Sequence, residues 1–206
     1  MSAEPDSFEG CRWIPAAESR FGIEVFDCSS FCQNMVSMTS DQDVAARFVA
    51  LRSSTGEEHR GTLPPSPVTI DCNLAYPFTG EPQDGGLFRA EVMEDKWDIY
   101  LYDNSLYFAR SWTGQLIYVT TVSIEQGEAR ITTVVVDSET NPDAQFVVGA
   151  VDYLIKSHIY RLLVPHPLSQ QIPRDAKSLT LFSFSQFGRW ARFGTYEKTT
   201  EFVVPR

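Results

Sequence analysis

The stretch that decides the fold, Trp97 to Asp137, reads WDIYLYDNSLYFARSWTGQLIYVTTVSIEQGEARITTVVVD. Apolar and polar residues alternate along it, as in the opening WDIYLY, which is typical of strands whose two faces differ. Short turn candidates interrupt the alternation at Asp103-Asn104, at Ser111 to Gly114 and at Glu125 to Glu128. Turns this short join only antiparallel neighbours, so the stretch predicts a four-stranded antiparallel meander over residues 97–136.

Two helices are predicted outside the meander. Asp and neighbouring hydroxyl residues precede apolar residues at helical spacing, which predicts a helix over about residues 41–52. Asn141-Pro142 is a second start signal, an N-cap followed by proline, and it opens a broad apolar face that predicts a helix over about residues 141–163. Asp152 and Lys156 are predicted to lie on the solvent side of this helix. Its apolar face is expected to pack across the sheet.

The remaining alternating stretches enlarge the sheet. Val68 to Leu74 and Leu87 to Met93 predict two strands, and in the tail Ser178 to Phe184 and Arg189 to Phe193 predict two more. The predicted fold class is therefore α+β, with one mainly antiparallel, strongly bent sheet of six or more strands.

The length of the chain suits one domain. We predict a single domain over residues 1–206, in which residues 68–206 form the sheet and helix core. Residues 11–67 are a candidate N-terminal lobe, because their signals are mixed and a loop rich in proline and glycine ends them.

The charge of the chain restricts its partners. It carries 27 Asp and Glu against 17 Lys and Arg, a net charge of −10, and such a surface repels nucleic acid and anionic membranes. With no signal peptide visible and no apolar run long enough to cross a bilayer, the protein is predicted to be cytoplasmic, with reduced cysteines. Residues 161–206 reverse the balance, with seven basic and three acidic residues. They indicate either an anion site or, as the favoured interpretation, packing against the acidic remainder.

Two short segments combine arginine with tryptophan. Arg110 and Trp112 flank a turn of the meander, and Trp190 and Arg192 lie in the predicted tail hairpin. A guanidinium group pairs with carboxylates and phosphates and stacks on rings, so these four are the candidate ligand-binding residues. Their expected partner is a protein or a small anionic ligand. For Trp190 a place in the core, with Arg192 passing beside it, is slightly favoured over an exposed pair.

Catalytic and metal-binding motifs are missing from the sequence. Acidic neighbours such as Glu94-Asp95 are expected to face water, and nothing places a base beside Ser111. Cys28 and Cys32 share the spacing of one helical face, but the chain has no matching second half of a zinc site, so core packing is favoured. No metal and no cofactor are predicted.

Three functional classes stay open. The leading hypothesis is a noncatalytic binding or protein-interaction module with an acidic surface. The second is a hydrolase-like enzyme with a carboxylate and either His158 or His166, which a pocket joining such a pair to Arg110 would support. The third is a thiol-dependent metal protein.

Overall fold

A computed structural model describes residues 8–140 and 143–202 of the chain. Over these residues it contains four α-helices and ten strands in two sheets, which confirms the α+β class. Within that part of the chain, no helix is both long and apolar enough to cross a membrane. The strands are β1 Arg12–Ile14, β2 Val25–Asp27, β3 Pro67–Pro77, β4 Gly85–Phe88, β5 Trp97–Tyr102, β6 Ser105–Arg110, β7 Leu116–Glu125, β8 Glu128–Asp137, β9 His166–Pro167 and β10 Phe193–Thr195. The helices are α1 Ser29–Asn34, α2 Gln42–Leu51, α3 Ala144–Leu154 and α4 Ala176–Phe187.

The predicted meander is confirmed as strands β5 to β8. They form the centre of a six-stranded antiparallel sheet with the order β3-β8-β7-β6-β5-β4. Asp103 and Asn104 have φ angles of 49° and 57°, the left-handed values that a two-residue hairpin turn requires. The strong bend is not confirmed, since neither sheet is curled. The predicted strand over Leu87 to Met93 is shorter, because β4 ends at Phe88.

A second, four-stranded sheet joins the two ends of the described chain. Its order is β1-β2-β10-β9, and β2 pairs antiparallel with β10. The hydrogen bond from the backbone N–H of Cys28 to the carbonyl of Arg192 continues this pairing. The division into a lobe and a core stays a prediction.

The tail strands are predicted wrongly. Residues 176–187 form helix α4, which begins at the N-cap Asp175 and buries Leu179, Ser183 and Phe187 at helical spacing. The alternation of apolar and polar residues in SLTLFSFS does not follow the pattern of burial. Two of the buried positions are the small polar residues Thr180 and Ser183. The segment after α4 turns at Gly188–Trp190 and forms only the short strand β10.

Both predicted helices exist, with shifted bounds. Helix α2 begins after Asp41, whose carboxylate accepts from the backbone N–H groups of Asp43 and Val44. Helix α3 is capped by Asp143 in the same way, and it continues into a π-helical turn over Ile155–Ile159. The predicted cap Asn141-Pro142 lies outside the described residues.

The prediction that Asp152 and Lys156 face water is wrong. Both are almost fully buried where α3 packs against β3, with Lys156 Nζ 2.7 Å from Asp152 Oδ2. The hydroxyl of Tyr76 on β3 donates to the other carboxylate oxygen at 2.8 Å. A buried charge requires partners of this kind, so the pair fixes α3 on the sheet.

The six-stranded sheet is covered on both faces, which explains why all six residues of β5 are buried. One face packs in the main core with α3 and α4. The other face carries Tyr100, Tyr102 and Tyr107, and the segment after α2 covers it. Tyr102 donates to the carbonyl of Thr55, and the ring of Tyr100 lies where a Cβ of Gly56 would be. Only glycine fits this position, whose φ is +82°.

Two histidines lie in the core. His166 Nε2 is 2.8 Å from Ser183 Oγ, and His158 Nδ1 is 2.7 Å from Ser157 Oγ. The pKa of each is lowered to about 3, mainly by burial, and the positive charge of Arg161 acts in the same direction on His158. Both imidazoles are therefore neutral at pH 7.

We expect these histidines to make the protein acid-sensitive. The unfolded chain takes up their protons near pH 6.5 and the folded chain does not, so stability falls as the pH falls from 6.5 towards 3. Between pH 7 and pH 5 the loss is about 2 kcal/mol per histidine. Urea unfolding of wild type and His158→Gln at both pH values measures it, and the variant should lose about 2 kcal/mol less. Equal losses would show that His158 does not carry the effect.

Candidate functional site

The four predicted ligand-binding residues lie in two different pockets. Arg110 and Trp112 line one pocket, and Trp190 and Arg192 line another. The structure thus brings together the two residues of each arginine–tryptophan segment, but it does not place all four residues in one pocket. Asp95 lies between the two segments, since it bonds to Ser111 and to Trp190.

Asp95 is fully buried, contrary to the expectation that it faces water. Its carboxylate accepts from Arg189 Nε at 2.6 Å and Nη2 at 2.9 Å, and from Trp190 Nε1 at 2.9 Å. The backbone N–H of Glu91 donates to it as well. Its carbonyl accepts from Ser111 Oγ at 2.5 Å, so the buried Ser111 hydroxyl acts as a structural donor.

Asp98, three residues further on, is also buried. Its carboxylate accepts hydrogen bonds from both terminal nitrogens of Arg52, at 2.9 and 2.8 Å, and from the backbone N–H of Ala90 at 2.8 Å. The two aspartates therefore hold residues 90–96 in place, and this segment positions Lys96 beside Trp112.

We call the pocket that contains Arg110 and Trp112 the Lys96 groove. Its volume is about 500 Å³, and its other lining residues include Met35, Val36, Met38, Lys96 and Phe184. The segment after α1 forms its exposed edge, and the Ser37 N–H in this segment donates to Glu94 Oε1 at 2.5 Å.

Lys96 is the central side chain of this groove, and sequence reasoning missed it. Its Nζ lies 4.4 Å from the ring centre of Trp112 and 4.7 Å from that of Phe184, a double cation–π contact. It donates to the Met93 carbonyl at 2.9 Å and to Ser37 Oγ at 3.1 Å. Burial, and then the positive charge of Arg110, lower its pKa to about 8. An ammonium group has three donors, so one is left without an acceptor among the described residues.

Arg110 and Trp112 are partly used by the fold. Arg110 donates to the carbonyls of Ser185 and Gln186 at the C-terminal end of α4, where unpaired carbonyls favour a cation. Trp112 Nε1 donates to the Met93 carbonyl at 2.6 Å. These bonds orient both side chains, and each keeps a surface that lines the groove.

The exposed edge of the groove is apolar. Met38 is 87% exposed, Val36 68% and Met35 41%, and all three lie within the four-residue segment 35–38, which also contains Ser37. Single exposed apolar residues are common, but a run of them at a concave site indicates a contact surface.

The sequence allowed either a core position for Trp190, with Arg192 passing beside it, or an exposed pair, and the structure lies between the two. Trp190 is half-buried. Its ring centre lies 4.7 Å from that of His158, with the two planes tilted, and 5.4 Å from that of Phe88 in an edge-on contact. Arg192 is exposed, and its Nε donates at 2.7 Å to the Gln33 amide, with the amide oxygen oriented towards it.

The metal alternative finds no ligand set among the residues the structure describes, since no three His, Cys, Asp or Glu side chains lie together. Cys28 and Cys32 are buried in the main core, as the sequence indicated. The pKa of Cys28 is well above its usual value, because of its hydrogen bond with Cys32 and burial. A thiol held protonated in this way is a poor metal ligand.

A pocket that joins a histidine, a carboxylate and Arg110 would support the hydrolase-like alternative. Among the described residues that line the Lys96 groove with Arg110, there is no histidine and no carboxylate.

Comparison with protein-family models, with curated proteins and with solved structures finds no match to this chain.

The two arginines of the tail should respond differently to substitution. Arg189→Gln leaves the buried Asp95 carboxylate without its bidentate partner, so we expect a loss of about 2–3 kcal/mol in the free energy of unfolding. Arg192→Gln removes an exposed side chain and should change stability by less than about 0.5 kcal/mol. Urea unfolding of both variants at pH 7 is the measurement. Equal effects would contradict the structural role of Arg189.

Proposed function

We propose that this chain is a noncatalytic binding protein whose Lys96 groove takes up an extended segment of a partner protein. The segment would combine apolar side chains with at least one carboxylate. The observation that carries the proposal is the exposed run Met35, Val36 and Met38 next to the cations of Lys96 and Arg110.

Charge complementarity selects the occupant. The chain as a whole is acidic and repels other acidic proteins, but the groove contains two cations and no acidic lining residue among those described. A carboxylate near Lys96 would meet an ammonium that has lost most of its water and keeps one donor without an acceptor. The same carboxylate in bulk water would gain much less.

The apolar part of the segment would contact the methionines. Methionine has an unbranched, polarizable side chain that adapts to partners of different shape, and it recurs at peptide-binding surfaces. The groove is formed by side chains already held by the fold, except for its exposed edge, so little order has to be created on binding.

Part of the proposal is a cytoplasmic location, which four free cysteines support. Reducing compartments keep such thiols unpaired.

An enzyme is the second candidate, and one observation favours it. The amine of Lys96 has a pKa of about 8, and a desolvated lysine beside another cation is a nucleophile towards carbonyl carbon. Borohydride reduction in the presence of benzaldehyde, followed by peptide mass spectrometry, separates the two. Labelling of Lys96 well above that of the other lysines would favour the enzyme, and uniform labelling would exclude this form of it.

The proposed function is tested by selecting displayed twelve-residue peptides on the purified protein. We expect enriched peptides that contain Leu, Phe or Met together with Asp or Glu. Val36→Asp places a negative charge and removes an apolar contact at the groove, so it should weaken the best peptide at least tenfold in fluorescence polarisation.

Val49→Asp is the matched control, because Val49 on α2 is 68% exposed like Val36 but does not line the groove. It should bind the peptide like wild type. No enrichment, or equal binding to Val36→Asp and wild type, would overturn the proposal.

A further inference from the structure

Arg161 is held in an unusual position directly after the π-helical turn. Its φ is +58°, in the left-handed region that residues other than glycine rarely adopt. Its guanidinium carbon lies 5.0 Å from the ring centre of Phe88 and 5.1 Å from that of Trp190. Strained residues of this kind, and π-helical turns, recur at functional sites.

Arg161 and Arg192 line one small cleft, which we call the Arg161 cleft. Its volume is about 120 Å³, and Tyr153, Ser157 and Trp190 are among its other lining residues. Both arginines are exposed. Within the described part of the chain, no acidic side chain lines this cleft and neither arginine forms an ion pair.

A second arginine of the same chain shows what a compensated site looks like. Arg174 stacks on Trp13 at 4.4 Å and on Tyr196 at 5.3 Å, much as Arg161 stacks on its two rings. Arg174 is neutralised by Glu24, with Nη2 and Oε2 2.5 Å apart. The charge of Arg161 is left uncompensated in a chain that has 27 acidic residues.

The groups around the cleft do not cancel this charge. His158 stacks on Trp190 and is neutral, because burial holds its pKa low. The Asp95 carboxylate that bonds to Trp190 is paired with Arg189. The Ser157 hydroxyl is already bonded to the Tyr153 carbonyl. Arg192 uses its Nε for the neutral Gln33 amide, so the remaining N–H groups of the two guanidinium groups supply the donors of the cleft.

We propose that the Arg161 cleft binds the phosphate group of a small molecule. Guanidinium forks match the oxygen geometry of a phosphate, and two of them supply the charge of its dianion. The cleft is below the usual size of a site for a whole drug-sized ligand, so it would take the phosphate and leave the remainder of the molecule outside. This proposal is independent of the peptide groove, because the two sites share no lining residue.

The test is a titration of protein labelled with ¹⁵N at its tryptophan indoles, with inorganic phosphate as the probe. The chain has four tryptophans, so each indole N–H signal can be followed by itself. We expect the Trp190 signal to shift with a midpoint on the order of 1 mM at low salt, and the Trp13 signal beside Arg174 to stay in place.

Arg161→Gln and Arg192→Gln should each raise this midpoint about tenfold, and Arg174→Gln should leave it unchanged. Arg192→Gln keeps the test decisive if Arg161→Gln fails to fold, because Arg192 has no strained backbone. An unmoved Trp190 signal, a midpoint unaffected by both cleft variants, or an equal midpoint for acetate would overturn the proposal.

Discussion

Two buried aspartates at the start of β5 are the constraint on which the rest of the structure depends. Asp95 and Asp98 give up their hydration, which is costly, and each is compensated by a bidentate arginine from a distant part of the chain. Arg52 comes from the end of α2, and Arg189 comes from the turn after α4. The two pairs therefore connect the helices that precede and follow the meander to its first strand. Removing either arginine leaves a buried carboxylate without its bidentate partner, so the arrangement specifies one way to assemble these elements.

The same constraint explains why two candidate sites lie near each other and stay separate. Through its carbonyl, Asp95 holds Ser111 and thereby the turn that carries Trp112; through its carboxylate it holds Trp190. Arg189 is used by this anchor, and Arg192 three residues later is not. Side chains that bind ligands well are those whose orientation is fixed by other contacts, and both tryptophans meet this condition.

The sequence predicts what depends on local pattern and misses what depends on distant partners. The meander is recognisable because β-strand alternation and turns such as Asp103-Asn104 are local signals, and Asp41 marks α2 in the same way. Asp95 is indistinguishable from a surface acid, since Arg189 is 94 residues away. Helix α4 is missed because its buried face contains Thr180 and Ser183, which no hydrophobic period reveals. The arginine–tryptophan segments lead to two pockets, but Lys96 and Arg161 acquire their roles only from the rings that surround them.

Both cations contact two aromatic rings, and neither forms an ion pair with a described carboxylate, although Glu94 and Asp95 lie near enough to Lys96 to favour its charged form. A carboxylate at ion-pair distance offsets much of the positive charge of a neighbouring arginine or lysine, as Glu24 does for Arg174. An aromatic face stabilises the cation by its quadrupole but carries no net charge, so the field of the cation remains available outside. Lys96 between Trp112 and Phe184, and Arg161 over Phe88 and Trp190, are therefore oriented without being neutralised. On a surface of net charge −10, this arrangement concentrates attraction for anions at two places and leaves repulsion elsewhere. Such a distribution favours selective contacts over nonspecific ones.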